Sequence, residues 1–152
     1  SGPLPEGLTI EKKLYPELRE LYARSRFLVM PLLSTDTDNG STSILEAMAM
    51  GKPVICSRTT GQVDIVREGE TGLYVPPGDV RALREAILAL WNNPARAKVM
   101  GEKARAYVER YHRLEDWLAA VKKNTEEAIA DRSRGKRRTG DPEHTEMSRN
   151  GL

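Results

Sequence analysis

The chain has 152 residues, 39% hydrophobic and 30% charged, with a formal net charge of +2, which fits one soluble globular domain. No apolar run approaches the ~18 residues of a membrane span, and the opening SGPLPEGLT lacks the basic and apolar parts of a secretory leader. Residues 131–152 hold six Lys/Arg and four Asp/Glu, leaving 18 of each elsewhere, so no basic field marks the folded part as a nucleic-acid binder.

Residues 1–13 form an N-terminal segment rich in Pro and Gly at its start, in which Leu8-Thr9-Ile10 reads as a short strand. Tyr15 to Arg26 reads as a helix, with Pro16 in its first turn and Leu14, Leu18, Leu21 and Tyr22 at helical spacing. Phe27 to Leu33 is apolar with little alternation, as a strand covered on both faces would be. The stretch Asp36 to Pro53, DTDNGSTSILEAMAMGKP, then passes from a polar, glycine-bearing loop into a helix. Ser43 and Glu46 have capping-box spacing, which predicts a helix start near Ser43. Gly51 suits the helix end, and Pro53 prevents continuation. Val54 to Ser57 is the next buried strand.

Strand, loop, helix and strand make a βαβ unit, and such units place ligands beyond the carboxyl ends of parallel strands. Backbone N–H groups and the positive end of the helix dipole would face an anion over Gly40, Ser41 and Thr42. A phosphate is the natural occupant.

Arg58 to Gly61 is a polar loop, and Gln62 to Arg67 is expected to make one or two helical turns. Glu68 to Gly72 is a turn by composition, and Leu73 to Val75 is a short last strand. Asp79 can cap a helix whose stripe is Val80, Leu83, Ile87 and Leu90. Pro94 opens another helix to about Arg110, with Ala97, Met100 and Ala104 inward. A final helix runs from about Leu114 to Ala130, with Trp117, Leu118, Val121 and Ile129 as its apolar positions. From Asp131 on almost nothing is apolar, which predicts a disordered polar tail. Its basic residues, Arg132 to Arg138, are interleaved with polar ones and offer only a weak membrane contact.

The single cysteine, Cys56, lies in a strand and reads as a small hydrophobe; it fits a reducing compartment such as the cytoplasm. His112 and His144 have no partners at metal-ligand spacing, so no metal is expected. Tyr15, Tyr74, Trp91 and Trp117 are expected in the core.

The run LEAMAMGKPVI, Leu45 to Ile55, resembles the nucleotide-sugar-binding C-terminal domain of GT-B glycosyltransferases of the group 1 type. ELRELYARSRFLVMP before it and ETGLYVPPGD after it, Glu70 to Asp79, extend the resemblance over about Leu14 to His112. The resemblance implies an α/β fold: a partial Rossmann-like parallel sheet of three to four strands with flanking helices, half of a GT-B domain. The donor-binding part would span residues 14–130.

By the same resemblance, the chain would be the donor-binding portion of a retaining glycosyltransferase that moves a sugar from a nucleoside diphosphate sugar to an acceptor. No cofactor is implied beyond that substrate. The family carries two glutamates with seven residues between them; Glu46 matches the second, while Asp38 stands at the first. Glu46 would accept hydrogen bonds from the ribose hydroxyls, and Asp38 would approach the donor sugar as the only catalytic candidate. Ser41, Thr42 and Ser43, after Gly40, would offer N–H groups to phosphate. Gly61 and Asp64 match a second ligand-facing loop. The family's usual Gly-Phe-Gly-Leu-Pro is here Asn39 to Ser43, a departure that bears on the sugar more than on the phosphate.

The resemblance leaves out the acceptor domain, the first two β-α units of the donor domain and the basic pair those units carry, so the chain alone is expected to be inactive. In a sheet of order 3-2-1-4-5-6 the strand at Phe27 would be strand 4, without strand 1 beside it. Leu8 to Ile10 would then slide across to pair there, or two chains, or a separate N-terminal half, would pair at that edge. The alternative to a donor-binding portion is a non-catalytic interaction module that uses this edge.

Overall fold

The computed structural model describes residues 5–34, 37 and 40–138. The chain divides into two compact units, Ser1–His112 and Arg113–Leu152. The first is an α/β layer structure. Its elements are α1 (Tyr15–Arg24), β1 (Leu28–Met30), α2 (Ser41–Ala49), β2 (Val54–Ser57), β3 (Gly72–Val75), α3 (Val80–Trp91) and α4 (Pro94–Tyr111). The three strands form a parallel sheet in the order β1-β2-β3, with Leu28 opposite Val54 and Val54 opposite Gly72. This is the predicted fold class.

β2 is central and buried along its whole length. Its side chains alternate between two cores, as the period of two in a strand requires. Val54 and Cys56 join Tyr22, Ile44, Ala47, Met48, Val66 and Ala104 on one face. Ile55 joins Val75, Leu90, Ala97 and Met100 on the other. That double coverage explains why the strand reads as a continuous apolar run.

α2 is set at its far end by a glycine. Gly51 adopts φ of 70°. Its N–H donates to Met48 O at 2.9 Å, and the Lys52 N–H donates to Ala47 O at 2.9 Å, the paired bonds of a Schellman motif. α4 crosses close by: a Cβ on Gly101 would stand 2.1 Å from Gly51 O. Gly72 admits a similar approach, since its Cβ would meet Val54 O at 2.2 Å. α3 begins at Asp79, whose Oδ1 accepts from the Ala82 N–H at 2.9 Å, and α4 begins at Asn93, whose Oδ1 accepts from the Arg96 N–H at 2.9 Å.

Several expectations need correction. Leu8 to Ile10 forms no strand; both apolar side chains are exposed, and no strand among the described residues lies on the side of β1 away from β2. β1 is three residues long because Pro31 follows it and has no N–H for a ladder. α2 opens at Ser41, not Ser43. Gln62 to Val66 bends without a helical turn. Val80 is 77% exposed, so the buried stripe of α3 starts at Ala82 and Leu83. Tyr15, Trp91 and Trp117 are exposed rather than core. Trp91 carries the Arg26 guanidinium over its ring at 4.2 Å, a cation–π contact that suits a half-wet site.

The second unit contains α5 (Leu114–Arg138), which continues eight residues beyond the predicted end at Ala130. Residues 131–138, expected to be part of a disordered tail, are therefore helical; the rest of that expectation lies outside the described residues. Charged pairs one turn apart, Lys122 with Glu126 at 4.0 Å and Lys123 with Glu127 at 3.9 Å, add local helix support. Leu114, Trp117, Leu118, Val121 and Ile129 are exposed.

Candidate functional site

The mouth of α2 opens at the carboxyl end of β1. Gly40 is its N-cap residue, with φ of 83° and ψ of 9°. That left-handed conformation is costly for other residues. The Met30 side chain also lies against Gly40, with Cε 3.1 Å from where a Cβ would be. Strand end and helix start therefore meet at this glycine. The Ile44 N–H makes the first helical bond, to Gly40 O at 3.0 Å. The N–H groups of Ser41, Thr42 and Ser43 precede it in the first turn of the helix.

Gly40 cannot cap with a side chain, and Ser43 lies inside the helix rather than ahead of it. Glu46 is therefore not the far partner of a capping box. It turns instead toward α1, where its Oε2 accepts from the Tyr22 hydroxyl at 3.3 Å. The Ser43 side chain also acts on that hydroxyl and partly offsets the rise in its pKa. Ser43 and Glu46, three apart, share one face of α2, and Tyr22 is bonded to the second of them. Burial, then the negative charge of Glu46, raises the pKa of Tyr22, which keeps the hydroxyl protonated as a donor.

Tyr15, Leu18, Arg19, Tyr22, Glu46, Ala49 and Met50 line a groove of about 150 Å³ between α1 and α2. Glu46 is half-exposed in it. A second hollow of about 140 Å³ lies at the carboxyl ends of all three strands, touching Leu32, Ser57, Val75 and Leu83. There the Leu32 N–H donates to Ser57 Oγ at 3.0 Å, tying the chain after β1 to the end of β2.

The structure brings Gly40, Ser41, Thr42, Ser43 and Glu46 together on the first turns of α2. Asp38 lies outside the described residues. Gly61 is half-buried in the loop after β2, and Asp64 is exposed with no helix to cap. In that loop Thr59 is 3% exposed, and its hydroxyl has no partner among the described residues. Arg58 stands over the Tyr74 ring at 4.3 Å and pairs with Glu68 at 3.5 Å. Glu68 in turn accepts the Tyr74 N–H at 2.8 Å.

Sequence reasoning missed Tyr22 and Thr59 as polar members of this region. Tyr22 sits at an apolar helical position, and only its phenolic tip hints at a second role. Nothing in the sequence around Thr59 marks its hydroxyl as buried. Among the described residues, no group of three or more His, Cys, Asp or Glu is placed to hold a metal ion. No helix among them is long and apolar enough to cross a membrane.

Residues 4–93 match the family model described as Glycosyl transferases group 1. The chain belongs to that family. A relative, the sulfoquinovosyl transferase of Arabidopsis thaliana, is 34% identical over 110 residues, 70% of this chain and 20% of its own length. The group 1 chain thus spans about a fifth of that relative. The solved sucrose-phosphate synthase of Thermosynechococcus elongatus superposes with a TM-score of 0.73 at 30% identity, over 80% of this chain and 30% of its own. An Anabaena protein solved in complex with UDP-glucose shares the fold, with a TM-score of 0.53 at 22% identity over 60% of this chain and 25% of its own. The family match and the likeness to the synthase support a portion of a group 1 C-terminal domain.

Proposed function

We propose that this group 1 chain is the donor-binding portion of a glycosyltransferase that moves a sugar from a nucleoside diphosphate sugar to an acceptor with retention of anomeric configuration. The carrying observation is the mouth of α2: a left-handed Gly40 at the end of β1, followed by the first-turn N–H groups, with the Glu46 carboxylate just over a turn further on. The N–H groups and helix dipole suit a diphosphate. A carboxylate accepts hydrogen bonds from paired ribose hydroxyls. As the sugar leaves, charge builds on the diphosphate, and fixed N–H dipoles stabilise it without reorganising. The UDP-glucose bound by the Anabaena protein of like fold motivates the choice of ligand class. Asp38 is proposed to face the donor sugar, and Gly61 to border the second loop.

The test is titration of the 152-residue chain with UDP, GDP and ADP, followed by amide NMR. The expected result is weak binding, on the order of 1 mM, or about −4 kcal/mol, with shifts concentrated at Gly40 to Glu46. Glu46→Ala is expected to lose about 1.5–3 kcal/mol of that affinity, the usual worth of hydrogen bonds to a charged group. Shifts elsewhere and none on α2 would defeat the reading.

A second reading rests on β1. Its outer edge has no strand beside it among the described residues, and an open edge is a pairing surface. On this reading the chain is an interaction module, and nucleotides leave its spectrum unchanged.

A further inference from the structure

We propose that Tyr22 is a positioning residue for Glu46, holding its carboxylate toward the groove between α1 and α2 so that ribose hydroxyls meet an acceptor already aimed. The inference rests on the donor-binding reading given above and assigns to α1 a part in it. A glutamate near a helix surface has three rotatable bonds, and ordering it on binding costs free energy. Tyr22 removes that freedom beforehand. Its ring is buried in the core with Ile44, Ala47 and Met48 at 9% exposure, so its hydroxyl is a fixed point rather than a mobile one.

The hydroxyl donates to Glu46 Oε2 at 3.3 Å, and the Ser43 side chain acts on it electrostatically. An ionised carboxylate has about four acceptor positions. Tyr22 occupies one and leaves capacity for a ligand's vicinal hydroxyls. Ser43 and Glu46 come from α2 and Tyr22 from α1, so the bridge also fixes where the two helices face each other across the groove.

The measurement is the affinity of the full 152-residue chain for UDP, GDP and ADP against their 2′-deoxy counterparts. The wild-type chain is expected to favour the ribose form. Tyr22→Phe keeps the ring and its packing and deletes only the tether. It is expected to cut the ribose-to-deoxyribose preference about three- to tenfold, with a smaller loss for the 2′-deoxy nucleotide, which keeps its 3′-hydroxyl, a split that loss of general stability would not give. Ser43→Ala keeps the Tyr22 ring and the carboxylate and is expected to move the same ratio by a smaller factor; it carries the test should Tyr22→Phe fail to fold. In the Glu46→Ala background, where nothing remains to be tethered, Tyr22→Phe is expected to have little further effect.

If Glu46→Ala lowers ribonucleotide affinity but neither Tyr22→Phe nor Ser43→Ala changes the ratio, positioning by Tyr22 is overturned and the donor site stands. If Glu46→Ala has no effect, or the wild-type chain binds none of the nucleotides, the donor reading and this inference fall together.

Discussion

Single residues decide how closely the backbone of this fold can approach itself. Gly101→Ala would bring a methyl to 2.1 Å from the Gly51 carbonyl oxygen. Backbone cannot yield as a flexible side chain would, so the expected loss is about 2–3 kcal/mol, at the upper end of ordinary overpacking, read as a lower urea midpoint. Burial acts on the ionisable residues in a consistent direction. It pushes the Cys56 thiol from 9.0 up to about 11 and raises the pKa values of Tyr22 and Tyr74. In the unfolded chain the same groups ionise earlier, so the unfolded state gives up protons that the folded state keeps. Stability from Cys56 is therefore complete below the unfolded thiol pKa and is lost as pH rises from 9.0 toward about 11. Urea midpoints measured across that window are expected to fall, and Cys56→Ala is expected to flatten part of the fall. The buried thiol is also expected to resist alkylation at neutral pH until denaturant is added.

At the scale of elements, much was legible before any coordinates. α4 was readable because Pro94, Ala97, Met100 and Ala104 follow one period, and it buries the three apolar residues among these. β2 was readable because an unbroken apolar run implies cover on both faces. The start of α3 was readable from Asp79, and Asp79→Ala is expected to cost about 1 kcal/mol, measured by thermal or urea unfolding. The misses have physical causes. Ser43 and Glu46 matched a capping box by spacing alone, whereas Gly40 in the left-handed region started the helix earlier. Leu8 and Ile10 have strand-like composition, but both side chains stay exposed and the segment pairs with no strand among the described residues. Tyr15, Trp91 and Trp117 stand at apolar positions, which predicts the core, but large aromatics are seldom fully buried without a wall on every side. The candidate site was legible as a helix start and a glutamate. Its orientation was not, because the partner of Glu46 lies 24 residues earlier in the chain.

At the scale of the molecule, the two units invite separate treatment. A chain ended at His112 retains both cores, Tyr22 with Glu46, and all three strands. It is expected to keep a dispersed amide spectrum and a single urea transition; collapse of either would mean that the second unit stabilises the first. The open side of β1 is expected to bring copies together, and sedimentation velocity over a range of concentrations should show it. One boundary of monomer mass throughout would remove the edge as a contact. The crossing of α4 over the tail of α2 bears on how a ligand can be admitted. With Gly101 seated against the Gly51 carbonyl, the rear of that helix has almost no travel. On the donor-binding proposal, a diphosphate would then meet N–H groups on a helix that does not rock and a Glu46 carboxylate already tethered by Tyr22. Capture should therefore be fast and nearly temperature-independent in its structural adjustment, like a key meeting a lock whose barrel has been welded in place.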